Sequence, residues 1–420
     1  MENYQSDYIN NCYNEIHQQL LNICQTKCNP NPTPSIKDTI YYTTTNNQPV
    51  SSTVIQSNTS VKSNEFNEEL GKFVMTFEDD VTEFKQSMGQ SFTSIEFINF
   101  PNLTTIGDNF LLACLNLEHI DMSGLYNVES IGNSFLNGCG IIETIDLTPL
   151  KNLTTIGNNF LSMSIWGSRE QSLKNINVSG LNKLKSIGDS FLINCRNLQT
   201  LDMSGLNNLT NIGNNFLSDC RDLRTLDMSG LSKLQSIPGN DNFLSSCRNL
   251  QTLDMSGLSK LQSIPNDFLC NFYNLTSLNL SGMSSLTTIG DNFLCGVKNL
   301  NHIDLSEMIN LTTIGNNFLN NVGTSDVNMS NLTQLTTVGD DFFTNFYGSY
   351  DENNYCKIHF NNISNLINVG ERLFGNVDEF NNDNTIGFII IYADNCSIKT
   401  KLEDKLRFIS SVKFDYYGNE

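Results

Sequence analysis

One residue type sets the fold before any propensity is weighed. Phenylalanine recurs at positions 110, 135, 160, 191, 216, 243, 268, 293, 318, 342 and 374, mostly 25 residues apart, with longer gaps at 160–191 and 342–374. One copy of the unit reads Leu198-Gln199-Thr200-Leu201-Asp202-Met203-Ser204-Gly205-Leu206, then Leu209, Ile212-Gly213 and Phe216-Leu217 with Cys220. The next copy begins at Leu223 with the same spacing. A single unit of this size cannot bury its own apolar edge, whereas stacked copies bury a continuous core.

Each part of the unit has a physical task. Alternation in Leu-x-x-Leu-Asp-Met predicts a strand with Leu201 and Met203 pointing inward and Thr200, Asp202 and Ser204 outward. Ser204-Gly205 ends that strand, and Leu206, Leu209 and Ile212 carry the chain back across the core. Gly213 suits a backbone position with positive φ, and Asn214 or Asn215 is expected to cap a short helical turn. Phe216 and Leu217 then plug the convex side. Burial of each Leu or Phe contributes roughly 1.5–3 kcal/mol, so several per turn offset the ordering entropy. The expected fold is an α/β repeat solenoid with a parallel concave sheet and one turn per repeat, about eleven in all.

The period lies in the range of leucine-rich repeats. Ile-Gly-Asp/Asn-x-Phe-Leu-x-x-Cys, followed by x-x-Leu-x-x-Leu-Asp-Met/Leu-Ser, resembles the BspA-like leucine-rich-repeat group over about residues 91–377. That group occurs in bacteria, protists and giant viruses of amoebae, and its members are described as surface or adhesion proteins. The resemblance implies a leucine-rich-repeat horseshoe or curved solenoid and a non-enzymatic role in protein binding, adhesion or recognition. A second reading is an intracellular adaptor whose N-terminal helix docks one partner while the repeats hold another.

Outside the repeats the pattern changes. Ile9, Tyr13, Ile16, Leu20 and Ile23 fall on one helical stripe, predicting an amphipathic helix in residues 1–28. Asn29 to Pro34 breaks it, and the Thr, Ser, Asn and Gln that follow predict a flexible linker over 29–63. Residues 64–90 restore apolar content beside Glu78, Asp79 and Asp80, as an N-terminal cap requires; 91–385 form the solenoid and 386–420 a C-terminal cap. Two repeats carry insertions, 162–172 with Trp166 and 346–356 with Tyr347, Tyr350 and Tyr355. Aromatic loops on a rigid scaffold are frequent binding elements.

Charge narrows the partner. With 44 Asp and Glu against 24 Lys and Arg, the chain carries a formal charge of −20. Nucleic acid and anionic lipid demand clustered Lys and Arg, so these partners are not expected, while a basic protein partner is compatible. The N-terminus has no basic start followed by an apolar run, and the apolar stretch 387–392 is too short to span a bilayer. A cytoplasmic or particle-associated location is therefore expected rather than Sec secretion.

Chemistry-bearing residues are few. Cys114, Cys139, Cys195, Cys220 and Cys247 each stand four residues after the repeat Phe, which reads as a column of small buried hydrophobes rather than a disulfide or metal array. His17, Cys24 and Cys28 share a helix face but fall short of the four ligands zinc takes. Asn-x-Ser/Thr triplets at Asn102, Asn152 and Asn208 are by-products of the repeat. Four histidines in all, with no Gly-x-Ser-x-Gly, phosphate loop or His-Glu-x-x-His, predict neither an enzyme nor a cofactor.

The outward strand column reads Asp121, Asp146, Asn177, Asp202, Asp227, Asp254, Asn279, Asp304 and Asn328, flanked by mostly Thr and mostly Ser columns, with His119 and His302 replacing Thr. One reading is scaffolding, in which hydroxyls and backbone amides satisfy the carboxylates. The other is a binding strip. On the second reading the candidate ligand-binding residues are Asp121, Asp146, Asp202, Asp227, Asp254 and Asp304, with Trp166 and Tyr350 from the insertions. No motif fixes an oligomeric state.

Overall fold

The repeats make one or two short strands and a turn each, and each element is stacked on its equivalents; only the repeat of Thr225–Asp227 lacks the second strand among the described repeats. A computed structural model describes residues 36–87, 89, 91–162, 172–239, 242–344, 356–363, 365–371, 389–392 and 412–415. The chain divides into Met1–Lys37 and Asp38–Glu420, and the second unit is the one described below. The helix expected in residues 1–28, Trp166, Tyr347, Tyr350, Tyr355 and Phe374 lie outside the described residues.

The first strands of the repeats stack in parallel as a long ladder that is hydrogen-bonded in four stretches. Thr200–Asp202, Thr225–Asp227, Thr252–Asp254 and Ser277–Asn279 pair in register, so Leu201, Leu226, Leu253 and Leu278 align. The same pairing joins Phe92–Ile98 to His119–Asp121, Thr144–Asp146 to Asn175–Asn177, and His302–Asp304 to Asp326–Asn328 and Cys356–His359. The central residue of each three-residue strand points into the core and its neighbours point out, as the period of two requires. A second parallel ladder is built from two-residue strands: Thr105–Ile106 through Asn211–Ile212, then Ser263–Ile264 through Asn368–Val369.

The third side is a wall of turns around a phenylalanine spine. Ten rings, from Phe110 to Phe342, stack one per turn with centroids 4.7–6.4 Å apart. This spacing is that of offset-stacked aromatic pairs, which contribute about 0.5–1.5 kcal/mol each beyond their burial. The helical turn expected after Asn214 is not formed, and among the described residues no helix occurs. The backbone alternates in hand instead: Asn215, Leu217 and Asp219 have φ of 56°, 54° and 63°. The leucine after the repeat Phe takes positive φ in nine turns, from Leu111 to Leu319. Left-handed backbone costs an L-residue about 1–2 kcal/mol. Full burial of the leucine offsets that cost. So does its N–H, which in seven turns donates to the carbonyl of the preceding repeat's Phe at 2.9–3.2 Å.

Gly213 is required for a different reason from the one its type suggests. Its φ is not positive; a Cβ there would lie 2.4 Å from Asp189 N and from Gly188 C. The stacked turns approach too closely for any side chain, so steric contact rather than backbone freedom selects glycine.

Side-chain amides stitch the turns together. Along the Asn/Asp column that follows this glycine, eight side-chain oxygens, those of Asp108, Asn133, Asn158, Asp189, Asn266, Asp291, Asn316 and Asp340, accept the N–H of the equivalent residue one turn later, at 2.6–2.8 Å. Asn127, Asn152, Asn208, Asn274, Asn299, Asn310 and Asn365 donate to backbone carbonyls of the preceding repeat at 2.6–3.1 Å. This explains how a chain only 16% charged can be so polar: its Asn and Thr serve as inter-repeat hydrogen-bonding groups.

The N-terminal end corrects one expectation. Residues 29–63 are not linker throughout: Thr39–Thr44 pairs antiparallel with both Lys72–Phe77 and Phe92–Ile98, and Val61–Asn67 pairs with Lys72–Phe77. Ile40 and Tyr42 are fully buried, Tyr42 packing edge-on against Phe92. The polar run hides a period-two pair of apolar residues that supplies hydrogen bonds to the solenoid's first strand. At the other end, Ile389–Tyr392 and Val412–Asp415 extend the long ladder in parallel, so pairing continues past residue 385.

Candidate binding surface

The outward positions of the long ladder form the surface on which the sequence placed its candidate residues. Register aligns Asp202 with Asp227, Asp254 and Asn279, Asp146 with Asn177, and Asp304 with Asn328 and His359. Asp121 stands beside Glu96 of the first solenoid strand. The six candidate aspartates thus occupy one column, exposed or half-buried. Trp166 and Tyr350 lie outside the described residues.

Each member of the column has a local structural task. In all nine turns from Asp121 to Asn328, Oδ1 accepts the backbone N–H of the residue two positions on, at 2.8–3.2 Å. This Asx turn ends the strand where, in six of the nine turns, Ser-Gly leads the chain away. Serine hydroxyls add a bond only where the column holds asparagine, from Ser179 to Asn177 and from Ser281 to Asn279, both 2.8 Å. Oδ1 is therefore committed to the fold, while Oδ2 is left toward the surface; at Asp254 it receives Asn279 Nδ2 at 3.3 Å.

Where the repeat departs from its pattern, a cluster forms that the sequence did not announce. His302, Asp326 and Lys357 succeed one another in the column that elsewhere holds mostly Thr. Asp326 Oδ2 is 2.9 Å from His302 Nδ1, and Oδ1 is 3.0 Å from His359 Nε2, the latter without hydrogen-bond alignment. His302 Nε2 also lies 3.9 Å from Asp304 Oδ2. About half of the His302 side chain and a quarter of the His359 side chain remain exposed. The two imidazoles flank the carboxylate from opposite sides rather than converging on one point. Among the described residues no group of three or more His, Cys, Asp or Glu could hold a metal ion. The available signal was Asp326 standing where Thr is usual, in the repeat shortened to 24 residues.

The cysteine column is internal. Cys114, Cys139, Cys195, Cys220 and Cys247 are fully buried and free of disulfides. The thiols of Cys139, Cys195, Cys220 and Cys247 donate to leucine carbonyls of the preceding turn at 3.1–3.5 Å. Burial pushes the Cys195 thiol far above its ordinary value, so it packs as a neutral group. Asn152 and Asn208 of the Asn-x-Thr triplets donate their amides to the preceding repeat, and Asn102 to Asp80 at 2.6 Å.

Two stacked parallel ladders, a phenylalanine spine and one turn per 25-residue unit define a leucine-rich-repeat solenoid. The BspA-type leucine-rich-repeat region model matches residues 34–165, 168–274, 231–348 and 262–397, with six copies. The chain belongs to that family. No curated protein matches it significantly. Among solved structures it is similar to the pneumococcal vaccine antigen PcpA, at 17% identity over 78% of this chain and 79% of that one, TM-score 0.30. It is also similar to the functional domain of InlJ from Listeria monocytogenes, at 15% identity over 68% and 76%, TM-score 0.19. A third is TLR13 in a complex with single-stranded RNA, at 16% identity over 76% and 53%, TM-score 0.13. At these scores the likenesses bear on the repeat architecture and carry nothing about ligands.

Proposed function

We propose that this protein is a non-enzymatic recognition scaffold that binds an extended, basic protein segment along the outward face of the long ladder, in surface attachment or recognition. The observation that carries the reading is the free half of the Asp column. Asn closes the strand-end turn as Asp does, at 3.1, 3.2 and 3.1 Å at Asn177, Asn279 and Asn328. The negative charge at Asp202, Asp227 and Asp254 is thus unneeded by the turn, and three in a row repel one another. A basic partner relieves that repulsion and makes weak contacts that sum along the stack. The described interior void among Ile156, Val178, Leu181 and Met203 is apolar and offers no group for acid–base chemistry.

The test is a pull-down with the full chain and with an Asp202→Asn, Asp227→Asn, Asp254→Asn variant, read by mass spectrometry. A partner held by the natural chain and released by the variant or by salt is the expected result. Equal retention by both proteins removes the column from the binding site. Proteolysis of intact cells or particles separates display from an internal role, since only a displayed protein is clipped.

A further inference from the structure

We propose that Cys270 and Cys295 are a reactive dithiol, a modification site at which a low-molecular-weight disulfide of the glutathione class closes a bond between two consecutive repeats. These residues do not belong to the buried cysteine column. Each stands two residues after its repeat Phe, on the turn side of the solenoid, where other turns carry the half-buried Ser218, Ser245 and Asn320.

The scaffold holds the pair in register. Phe268 and Phe293 stack at 6.4 Å with planes 5° apart, and Asn271 N–H donates to the Cys295 carbonyl at 2.6 Å. Both thiols are half-buried, in contrast to the five that are fully enclosed. The Cys270 thiol hydrogen-bonds to Cys295 sulfur. Equivalent residues of stacked strands sit about 4.8 Å apart, inside the roughly 4.4–6.8 Å range of Cα separations that a disulfide spans.

The pair also divides the chemistry. The hydrogen bond from Cys270 lowers the Cys295 thiol to about 7, against the opposing effects of burial and of Asp267. The same bond, with burial, the neighbouring Cys295 charge and Asp267, raises Cys270. Cys295 is thus the attacking thiolate at neutral pH and Cys270 the reserve. Cys295 sulfur attacks one sulfur of the small disulfide, forming a mixed disulfide and expelling one thiolate, which takes a proton from water. Once Cys295 is uncharged, Cys270 loses its proton to solvent and attacks Cys295 sulfur, expelling the second small thiol. Two protein thiols are oxidised to one disulfide, and one small disulfide is reduced to two thiols.

The experiment uses the full-length protein with oxidised glutathione at neutral pH, followed by acid quench, alkylation in denaturant and tryptic digestion. Residues 261–298 lie between Lys260 and Lys298 with no internal Lys or Arg, and contain Cys270 and Cys295 as their only cysteines. That peptide is expected two hydrogens lighter and unalkylated, while the five buried cysteines emerge alkylated. Cys270→Ser should stop at a glutathione adduct on Cys295. In Cys270→Val the pH profile of Cys295 alkylation should move up toward that of an ordinary thiol. A peptide that keeps both thiols, or a Cys295 profile unchanged by Cys270→Val, overturns the proposal.

Discussion

Asp227 separates the two duties assigned to the outward column, because asparagine and alanine remove different ones. Its Oδ1 accepts Ser229 N–H at 2.8 Å, and its register neighbours are Asp202 and Asp254. At a strand spacing of about 4.8 Å, each like-charged neighbour costs roughly 0.9 kcal/mol in water-like dielectric. Physiological salt screens about half of that, leaving about 1 kcal/mol for the two together. The turn hydrogen bond contributes about 1 kcal/mol. Asp227→Asn keeps the bond and loses the repulsion, so it should stabilise by about 1 kcal/mol. Asp227→Ala loses both and should leave stability near that of the natural chain. Urea unfolding of the three proteins measures the order. At 1 M salt the screening length falls to about 3 Å, so the gap between Asp and Asn should close while that between Asn and Ala persists. An alanine variant as stable as the asparagine one would refute the turn-closing role, and an Asp–Asn gap insensitive to salt would refute the repulsion.

Other consequences follow from the core. Phe216→Ala opens the spine between Phe191 and Phe243, which stack on it at 5.5 and 5.4 Å, and should cost about 3–5 kcal/mol in denaturant unfolding. Gly213→Ala forces Cβ into backbone and should cost about 3 kcal/mol or more, whereas Gly140→Ala, with nothing within 4 Å, should be tolerated. Asp219 is pulled upward by partial burial, but ion pairs with Arg221 at 2.7 Å and Arg196 at 3.0 Å outweigh this and hold its carboxyl below the ordinary 3.8. Its contribution is therefore present above pH 3.8 and lost as pH falls through the lower folded value. Asp219→Asn should lower the neutral-pH urea midpoint and flatten its decline on acidification.

The repeat, its register and the packing role of the cysteine column were legible because each rests on a short-range period. Leu201 and Met203 alternate with Thr200 and Asp202, and any strand pairing that buries the former exposes the latter. The turn wall was misread because Asn and Asp serve equally as helix caps and as left-handed residues. Nothing in the propensity of leucine announces nine of them at positive φ; the compensation lies in burial and in bonds to the preceding turn. Gly213 was attributed to φ because a clash between stacked backbones has no signature within one repeat. Thr39–Thr44 was hidden since Ile40 and Tyr42 lie in a run of Thr, Asn, Gln and Ser. His302, Asp326 and His359 could not be grouped, because an insertion separates the last two and obscures their register.

The scaffolding tasks also indicate where recognition has to be written. Residues that obey the repeat are accounted for by turn closure, stacking or inter-turn bonds, so they mark the surface without distinguishing one stretch from the next. The departures do: His302, Asp326 and Lys357 replace Thr, and His359 replaces Asx, on adjacent strands. Reverting His302 and Asp326 to Thr and His359 to Asn tests whether this end of the face selects the partner. Exposed polar contacts of this kind contribute about 0–1 kcal/mol each, so the reverted chain should unfold within about 1 kcal/mol of the natural one. Threonine is well suited to a strand, and asparagine matches the rest of its column. A partner recovered by the natural chain should bind the reverted chain more weakly, measured by calorimetry with both proteins folded. Loss of binding in the Asp202, Asp227 and Asp254 variant alone, with full affinity in the reverted chain, would place recognition in the regular middle of the ladder and assign the histidine cluster to structure.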